Sequence, residues 1–206
     1  MSLDVKPTRS ELIKLKKKIK LAESGHKLLK KKRDGLILEF FEIMKNARSL
    51  RKEMSEKYIR ARNALMTAVA LDGMVEVKSM AMGLKERPAI ELEVKNIMGV
   101  TVPKINSTAR VKSFAERGYG LISTSVRIEE VAKAFEDLLI SVIEAAEIET
   151  TMRKLLKEIE GTKRRVNALE FVILPRLREQ SAFINLRLEE MERENIFRMK
   201  KIKKKA

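Results

Sequence analysis

The sequence predicts an all-α protein: a long antiparallel two-helix coiled coil, folded as a helical hairpin, with a small β-hairpin-containing segment at the turn. Three observations predict it. A seven-residue apolar period runs through the first third of the chain and returns in the last third. Glycine and proline gather in the stretch between. The composition, 44% apolar and 36% charged with only 8 Gly and 4 Pro in 206 residues, is that of long helices and supplies few turns for a many-stranded sheet.

The N-terminal arm is assigned to residues 8–71. Alternate steps of three and four from Leu12 visit Leu15, Ile19, Ala22, His26, Leu29, Arg33, Leu36, Phe40, Ile43, Ala47, Leu50, Met54, Lys57, Ala61, Ala64, Ala68 and Leu71. Only His26, Arg33 and Lys57 are not apolar. A period of seven sustained this long marks a left-handed coiled-coil seam, because an ordinary surface helix drifts out of step with it. At 1.5 Å per residue the arm would measure about 90 Å. Pro7 and Thr8 provide a start, and Asp72-Gly73 a stop. His26 is read as a polar interruption that sets helix register.

The C-terminal arm, residues 121–206, carries the same signal in three pieces. Ile128, Val131, Phe135, Leu138, Val142 and Ala145 form the first. Ile148, Met152, Leu155, Ile159, Thr162, Val166, Leu169 and Ile173 form the second, and the stripe resumes after Pro175 through Leu177, Ile184, Leu188 and Met191. The slips between pieces resemble stutters, and Pro175 is expected to kink the helix in the turn before it. An intermolecular dimer is the alternative, but two seams of this length in one chain supply each other's partner. With Thr8 placed near Lys204, facing residues would have numbers adding to about 212, which sets Leu50 opposite Thr162.

The middle segment, residues 72–120, holds Gly73, Gly83, Pro88, Gly99, Pro103 and Gly118, with Gly120 at its boundary. Ile90 to Val94 alternates apolar and charged residues, and Gly99 to Pro103 follows, which predicts a β-hairpin near 89–105. Val75 to Met82 fits a strand or a helix.

Several chemistries are excluded or disfavoured. There is no cysteine, hence no disulfide, thiolate metal site or thiol nucleophile, and one histidine makes a hydrolytic triad or a His-rich zinc centre improbable. Gly118-Tyr-Gly120 lacks the remainder of a phosphate loop and is read as a loop before a helix. Glu129-Glu130 and Glu189-Glu190 are helix neighbours pointing in different directions, read as solvated faces. No apolar run approaches a bilayer span, and no apolar signal core follows Lys6, so a cytoplasmic location is expected. No cofactor, no metal and no active site of the chain's own are expected.

Charge is the strongest polar signal. The formal net charge is +16, and Lys6 to Arg33 holds 12 basic residues against 2 acidic. The runs Lys16-Lys17-Lys18 and Lys30-Lys31-Lys32-Arg33, with Lys203 to Lys205, call for an acidic partner, which by charge alone is equally nucleic acid, an anionic membrane or acidic protein loops.

Further motifs narrow the choice. Gly161-Thr-Lys-Arg-Arg-Val-Asn-Ala-Leu-Glu170 followed by Val172-Ile-Leu-Pro-Arg-Leu177 resembles the signature of the D subunit of the archaeal and vacuolar-type rotary ATPases. Pro7-Thr-Arg9, the run from Ser24 to Asp34 and the closing Glu192 to Lys201 are similar to the same family, in the same order. The resemblance covers both arms; in residues 72–120 no family motif is aligned. It implies a central rotor shaft, without catalytic residues, in a proton- or sodium-translocating ATP synthase or ATPase at the cytoplasmic face of the cell membrane. The implied partners are the catalytic A and noncatalytic B subunits of the head, the small F subunit, and the funnel-shaped C (or d) subunit above the membrane rotor ring. From charge, Lys16, Lys17, Lys18, Lys30, Lys31, Lys32, Arg33, Arg164 and Arg165 are candidate contacts to the head. The apolar flank Ile37, Phe41 and Met44, outside the seam, is the candidate contact to the F subunit.

Two other readings use the same residues. A basic helical hairpin can bind nucleic acid, but stacking aromatics are scarce and no zipper-type basic region is present, so none is expected. A prefoldin-like chaperone also joins two helices through β-hairpins, but would carry apolar helix tips where Lys14 to Lys20 and Arg198 to Lys205 are charged.

Overall fold

A computed structural model describes residues 6–83, 88–112, 116–117 and 125–205. In chain order it contains α1 (Arg9–Asp72), α2 (Met74–Gly83), β1 (Ile90–Ile97), β2 (Val100–Ser107), α3 (Val126–Ala168), a π-turn (Leu169–Ile173) and α4 (Leu174–Lys205). The chain is thus mostly helical, with a two-stranded antiparallel sheet between its long helices. The Gly118-Tyr-Gly120 stretch lies outside the described residues.

The ends of α1 follow from local chemistry. The Glu11 amide donates to Thr8 Oγ1 at 3.3 Å and the Leu12 amide to the Thr8 carbonyl at 3.1 Å, so Thr8 is the N-cap and Pro7 precedes it. At the other end Gly73 adopts φ 92°, and its amide reaches the Val69 carbonyl at 3.2 Å. That left-handed turn is one a side chain disfavours, and it separates α1 from α2. The ambiguous stretch Val75 to Met82 is therefore helical.

The chain divides into two compact units, one of residues 36–158, the other of residues up to Gly35 with those from Ile159 onward. Within residues 36–158, α1 and α3 run antiparallel. Lys57 Nζ donates to Ser141 Oγ at 2.7 Å, and Arg127 Nη1 lies 3.1 Å from Asp72 Oδ1. Leu36, Ala61, Ala68, Ile128, Val131, Leu138 and Leu155 are buried. Small polar residues share the core, with Ser141 and Thr151 also buried. The polar seam position Lys57 is explained by Ser141 across the interface and by Glu53, 2.8 Å away on its own helix. The seam ends at Ala68, since Leu71 is exposed. Phe135 leaves the stripe to line an apolar cavity of about 220 Å³ with Leu65, Val77, Met80 and Ile128, where α2 lies over α1 and α3.

The hairpin spans Ile90 to Ser107, ending two residues past the expected segment. β1 and β2 pair without interruption from Ile90↔Ser107 to Ile97↔Val100. Met98 at φ 50° and Gly99 at φ 85° form the two-residue turn, whose two positive φ values match the twist of the strands it joins.

In the other unit, Leu15, Val166, Leu174 and Ile184 are buried, and Thr162 is fully so. Arg178 Nη2 reaches Glu23 Oε1 at 2.7 Å, and Arg9 pairs with Glu192. Two expectations are corrected here. The first is Ile173, which leaves the seam: it is 41% exposed, whereas Leu174 is 8% exposed and occupies the apolar position. The cause is Pro175, which lacks an amide and whose ring crowds the carbonyl four residues back. The helix widens to a π-turn, in which the Leu174 amide donates to the Leu169 carbonyl, and the extra residue moves the stripe on by one.

The second is the register. Pairs such as Arg9 with Glu192, Glu23 with Arg178, Lys57 with Ser141 and Asp72 with Arg127 have numbers adding to about 200, not 212. Leu50 accordingly lines a groove with Ile148 and Met152, not with Thr162. The expectation matched the two chain ends, but α4 continues past Glu192 to Lys205.

Candidate functional site

The conspicuous polar surface is the basic first half of α1. Lys16, Lys17, Lys18, Lys30 and Lys31 are exposed, while Lys32 and Arg33 are half-buried. Arg33 at its seam position turns back to Asp34, with Nη2 at 2.8 Å from Oδ1. Lys14 donates to Glu11 at 2.8 Å and holds that carboxyl below its ordinary range, with a further contribution from the charge of Lys18. Among the described residues, Lys16, Lys17, Lys18, Lys30 and Lys31 make no ion pair, so their charge is directed to solvent or to a partner. On α3, Arg164 and Arg165 are likewise exposed. Beyond Glu192, α4 presents Ile196, Phe197, Met199 and Ile202 outward among its lysines and arginines.

His26, the interruption in the seam, lies with Nε2 3.4 Å from Glu170 Oε2, a carboxylate carried by the π-turn. This contact ties α1 to the π-turn.

Burial along the expected seam is uneven: Leu71, Phe135, Val142 and Ile173 are exposed, and Ile143 is buried beside Val142. Leu15, Leu36 and Val166 are buried, and Leu12, Ile19, Leu29, Phe40, Ile43, Leu50, Ile159 and Leu169 are half-buried, as in a coil of two helices with one flank open. The flank of α1 behaves differently along its length. Met44 enters a groove of about 390 Å³ with Ala47, Leu50 and Met54 of α1 and Val142, Ala145, Ile148 and Met152 of α3. Ile37, two turns earlier, is half-buried, and Phe41 is exposed with its ring edge-on to Phe40 at 6.1 Å. Along this row Met44 thus sits in the groove, Phe41 in solvent, and Ile37 is intermediate in exposure.

One cluster escaped sequence reasoning. Arg117, 1% exposed, pairs with Glu129 and with Glu136, whose Oε2 lies 2.7 Å from Nη2, and donates to the Lys112 carbonyl at 3.0 Å. The Lys112 amide also donates to Glu136 at 3.0 Å. The segment after the hairpin is held to α3 by this knot. Glu129 is therefore buried, correcting its reading as a solvated residue, while Glu130 is exposed. Charge spacing along the sequence carries no signal for it, because Arg117 lies in an irregular segment and reaches α3 only through the fold.

Among the described residues no group of three or more His, Cys, Asp or Glu could hold a metal ion, and no helix is long and apolar enough to cross a membrane. What the fold and these surfaces define is a helical-hairpin protein whose charged and apolar features are drawn out along helix faces. The chain belongs to the ATP synthase D-subunit family, whose model matches residues 11–204. It is 59% identical over 200 residues to the D subunit of the A-type ATP synthase of Methanosarcina mazei, covering 97% of this chain and 96% of the relative. Identity to the corresponding D subunit of Methanococcoides burtonii is 58% over 201 residues, covering 98% of each. For that of Archaeoglobus fulgidus it is 51% over 203 residues, covering 98% and 97%.

Proposed function

We propose that the chain is the central rotor shaft of an A-type/V-type ATP synthase, transmitting torque between the membrane rotor and the catalytic head. The observation that carries this reading is the family match, which runs through both helical arms. The antiparallel pairing of α1 with the C-terminal helices supports it, since torque needs two strands of helix that resist twisting past each other. In this reading the protein has no catalytic residues of its own, and sits peripherally at the cytoplasmic face of the cell membrane.

The exposed lysines of α1, with Arg164 and Arg165, face acidic loops of the A and B subunits. Charge attraction at a surface of this kind falls with salt, which suits a contact that is made and broken at every step. Ile37, Phe41 and Met44 receive the F subunit, because an apolar row that leaves its groove for solvent gains most from being covered. The funnel-shaped C (or d) subunit carries the opposite end. The family match favours neither nucleic-acid binding nor a prefoldin-like chaperone role.

Cross-linking tests the shaft reading. The chain has no cysteine, so introduced thiols have no background. A disulfide between Leu50→Cys and Ile148→Cys, which line the same groove, joins two parts that turn together and should spare ATP-driven turnover. A bridge from Lys31→Cys to a cysteine in the surrounding head should stop multi-turnover hydrolysis, and reductant should restore it. Full formation of that bridge with hydrolysis unchanged would refute the reading.

A further inference from the structure

The β-hairpin has one edge in use and one open. Backbone geometry identifies which groups are free. In an antiparallel pair, opposed residues alternate between those that exchange hydrogen bonds and those whose N–H and C=O point away. The Thr108 amide donates to the Ala89 carbonyl at 3.1 Å, which places Glu91, Glu93 and Lys95 in the bonded class with Asn106, Lys104 and Val102. Ile90, Leu92, Val94 and Asn96 then point their backbone groups outward. Two independent facts agree. The Ile105 amide, opposite Leu92, points away from β1 and donates to Glu147 of α3 at 2.9 Å. Pro103, which has no amide to give, stands opposite Val94, where the ladder requires none.

The β2 edge is thus met by α3, and among the described residues nothing pairs with the β1 edge. β1 carries neither a proline nor a bulge over its eight residues, and its charged residues, Glu91, Glu93 and Lys95, share one face. The side chains on one face of that edge, Ile90, Leu92 and Val94, are all exposed, the last two at 70% and 76%. On the other face Glu91 has no ion pair among the described residues, and Glu93 meets Lys104 only at 3.7 Å.

From this edge we infer that β1 receives an extended strand from another protein of the complex, which adds a third strand to the sheet. A strand is required because only an extended backbone satisfies alternating donors and acceptors along an edge; a helix has none to spare. The side chains specify its chemistry. Apolar residues at alternate positions cover Leu92 and Val94, and lysine or arginine between them meets Glu91 and Glu93. A second copy of this chain fits less well, since it carries the same +16 and, paired about Glu93, sets that carboxylate against itself. The inference deepens the shaft reading and rests on it only in seeking the strand within the assembled complex.

The test is amide hydrogen exchange, resolved to single residues, on the full chain alone and in the complex assembled with the A, B, F and funnel subunits. The Leu92 and Val94 amides should exchange at least about tenfold more slowly in the complex. Val94→Pro deletes one outward donor without touching the ladder and should return Leu92 to its free-chain rate. The pair Leu92→Thr with Val94→Thr keeps strand propensity, removes the apolar cover and should reduce protection likewise, as should Glu91→Lys with Glu93→Lys. Equal exchange in chain and complex overturns the inference while leaving the shaft reading intact, since assembly is scored separately by co-elution. Protection that appears in the chain alone, rises with its concentration and accompanies a doubled sedimentation mass assigns the edge to a second copy and also overturns it. Failure of the complex to assemble removes both readings together.

Discussion

Arg117 shows how much one side chain can decide. A guanidinium shared between two carboxylates and a carbonyl is stable because its charges and donors are answered within a few ångströms, and removing it leaves buried carboxylates without their cation. Arg117→Met should cost about 3–5 kcal/mol in the local stability of the segment it holds. Adding Glu129→Gln and Glu136→Gln should recover a large part of that, because the residual charge is then gone. The exchange rate of the Lys112 amide, which donates to Glu136, reports both effects. The π-turn offers a second contrast. Leu174→Ala should destabilise the fold by about 2–5 kcal/mol, whereas Ile173→Ala, adjacent in the chain but exposed, should stay within about 0.5 kcal/mol. Chemical denaturation of the two variants distinguishes a π-turn from a regular helix, in which Ile173 would be the costly position. At the N-cap, the Glu11 carboxyl is held below its ordinary range, so its contribution is present above the unfolded carboxylate pKa and is lost as pH falls through the folded one.

Among elements, α1 divides its labour by face. Its seam pairs with α3 and α4, and its exposed lysines Lys16, Lys17, Lys18, Lys30 and Lys31 lie outside that seam. Reversing Lys30 and Lys31 to Glu should therefore leave thermal unfolding nearly unchanged, within about 0.5 kcal/mol, since exposed charges contribute little to stability. Hydrolysis by the assembled complex should fall, and the fall should be smaller at high salt, where the lost attraction was already screened. Polar replacement of Ile37, Phe41 and Met44 should weaken association with the F subunit in a binding titration. Unchanged affinity would mean that the groove residue Met44 serves the chain's own packing alone. The hairpin was legible in Ile90 to Val94 because alternate apolar residues show a period of two. Its end at Ser107 was not, since Asn106 has weak strand propensity and is held there by the ladder.

For the molecule as a whole, the heptad determined nearly everything that repeats. Two apolar seams, their polarity, the cap at Thr8 and the stop at Gly73 are local matters, since a seven-residue period needs only the next turn of helix to be expressed. The family signature was also legible, because Gly161 to Leu177 lies in one continuous stretch. The open questions of the sequence were those of pairing. A heptad looks the same after sliding by seven residues, so it does not state which residue of one arm faces which residue of the other. That choice belonged to the tertiary structure, which set Leu50 beside Ile148, let α4 run on beyond Glu192, and answered Lys57 with Ser141. Likewise, Pro175 announced a fault in the helix, but whether the chain would kink or insert a residue depended on burying Leu174 against its neighbours. Periodic apolar spacing is written along the chain. Register, and the burial of Arg117 among carboxylates far from it in sequence, exist only once distant segments meet.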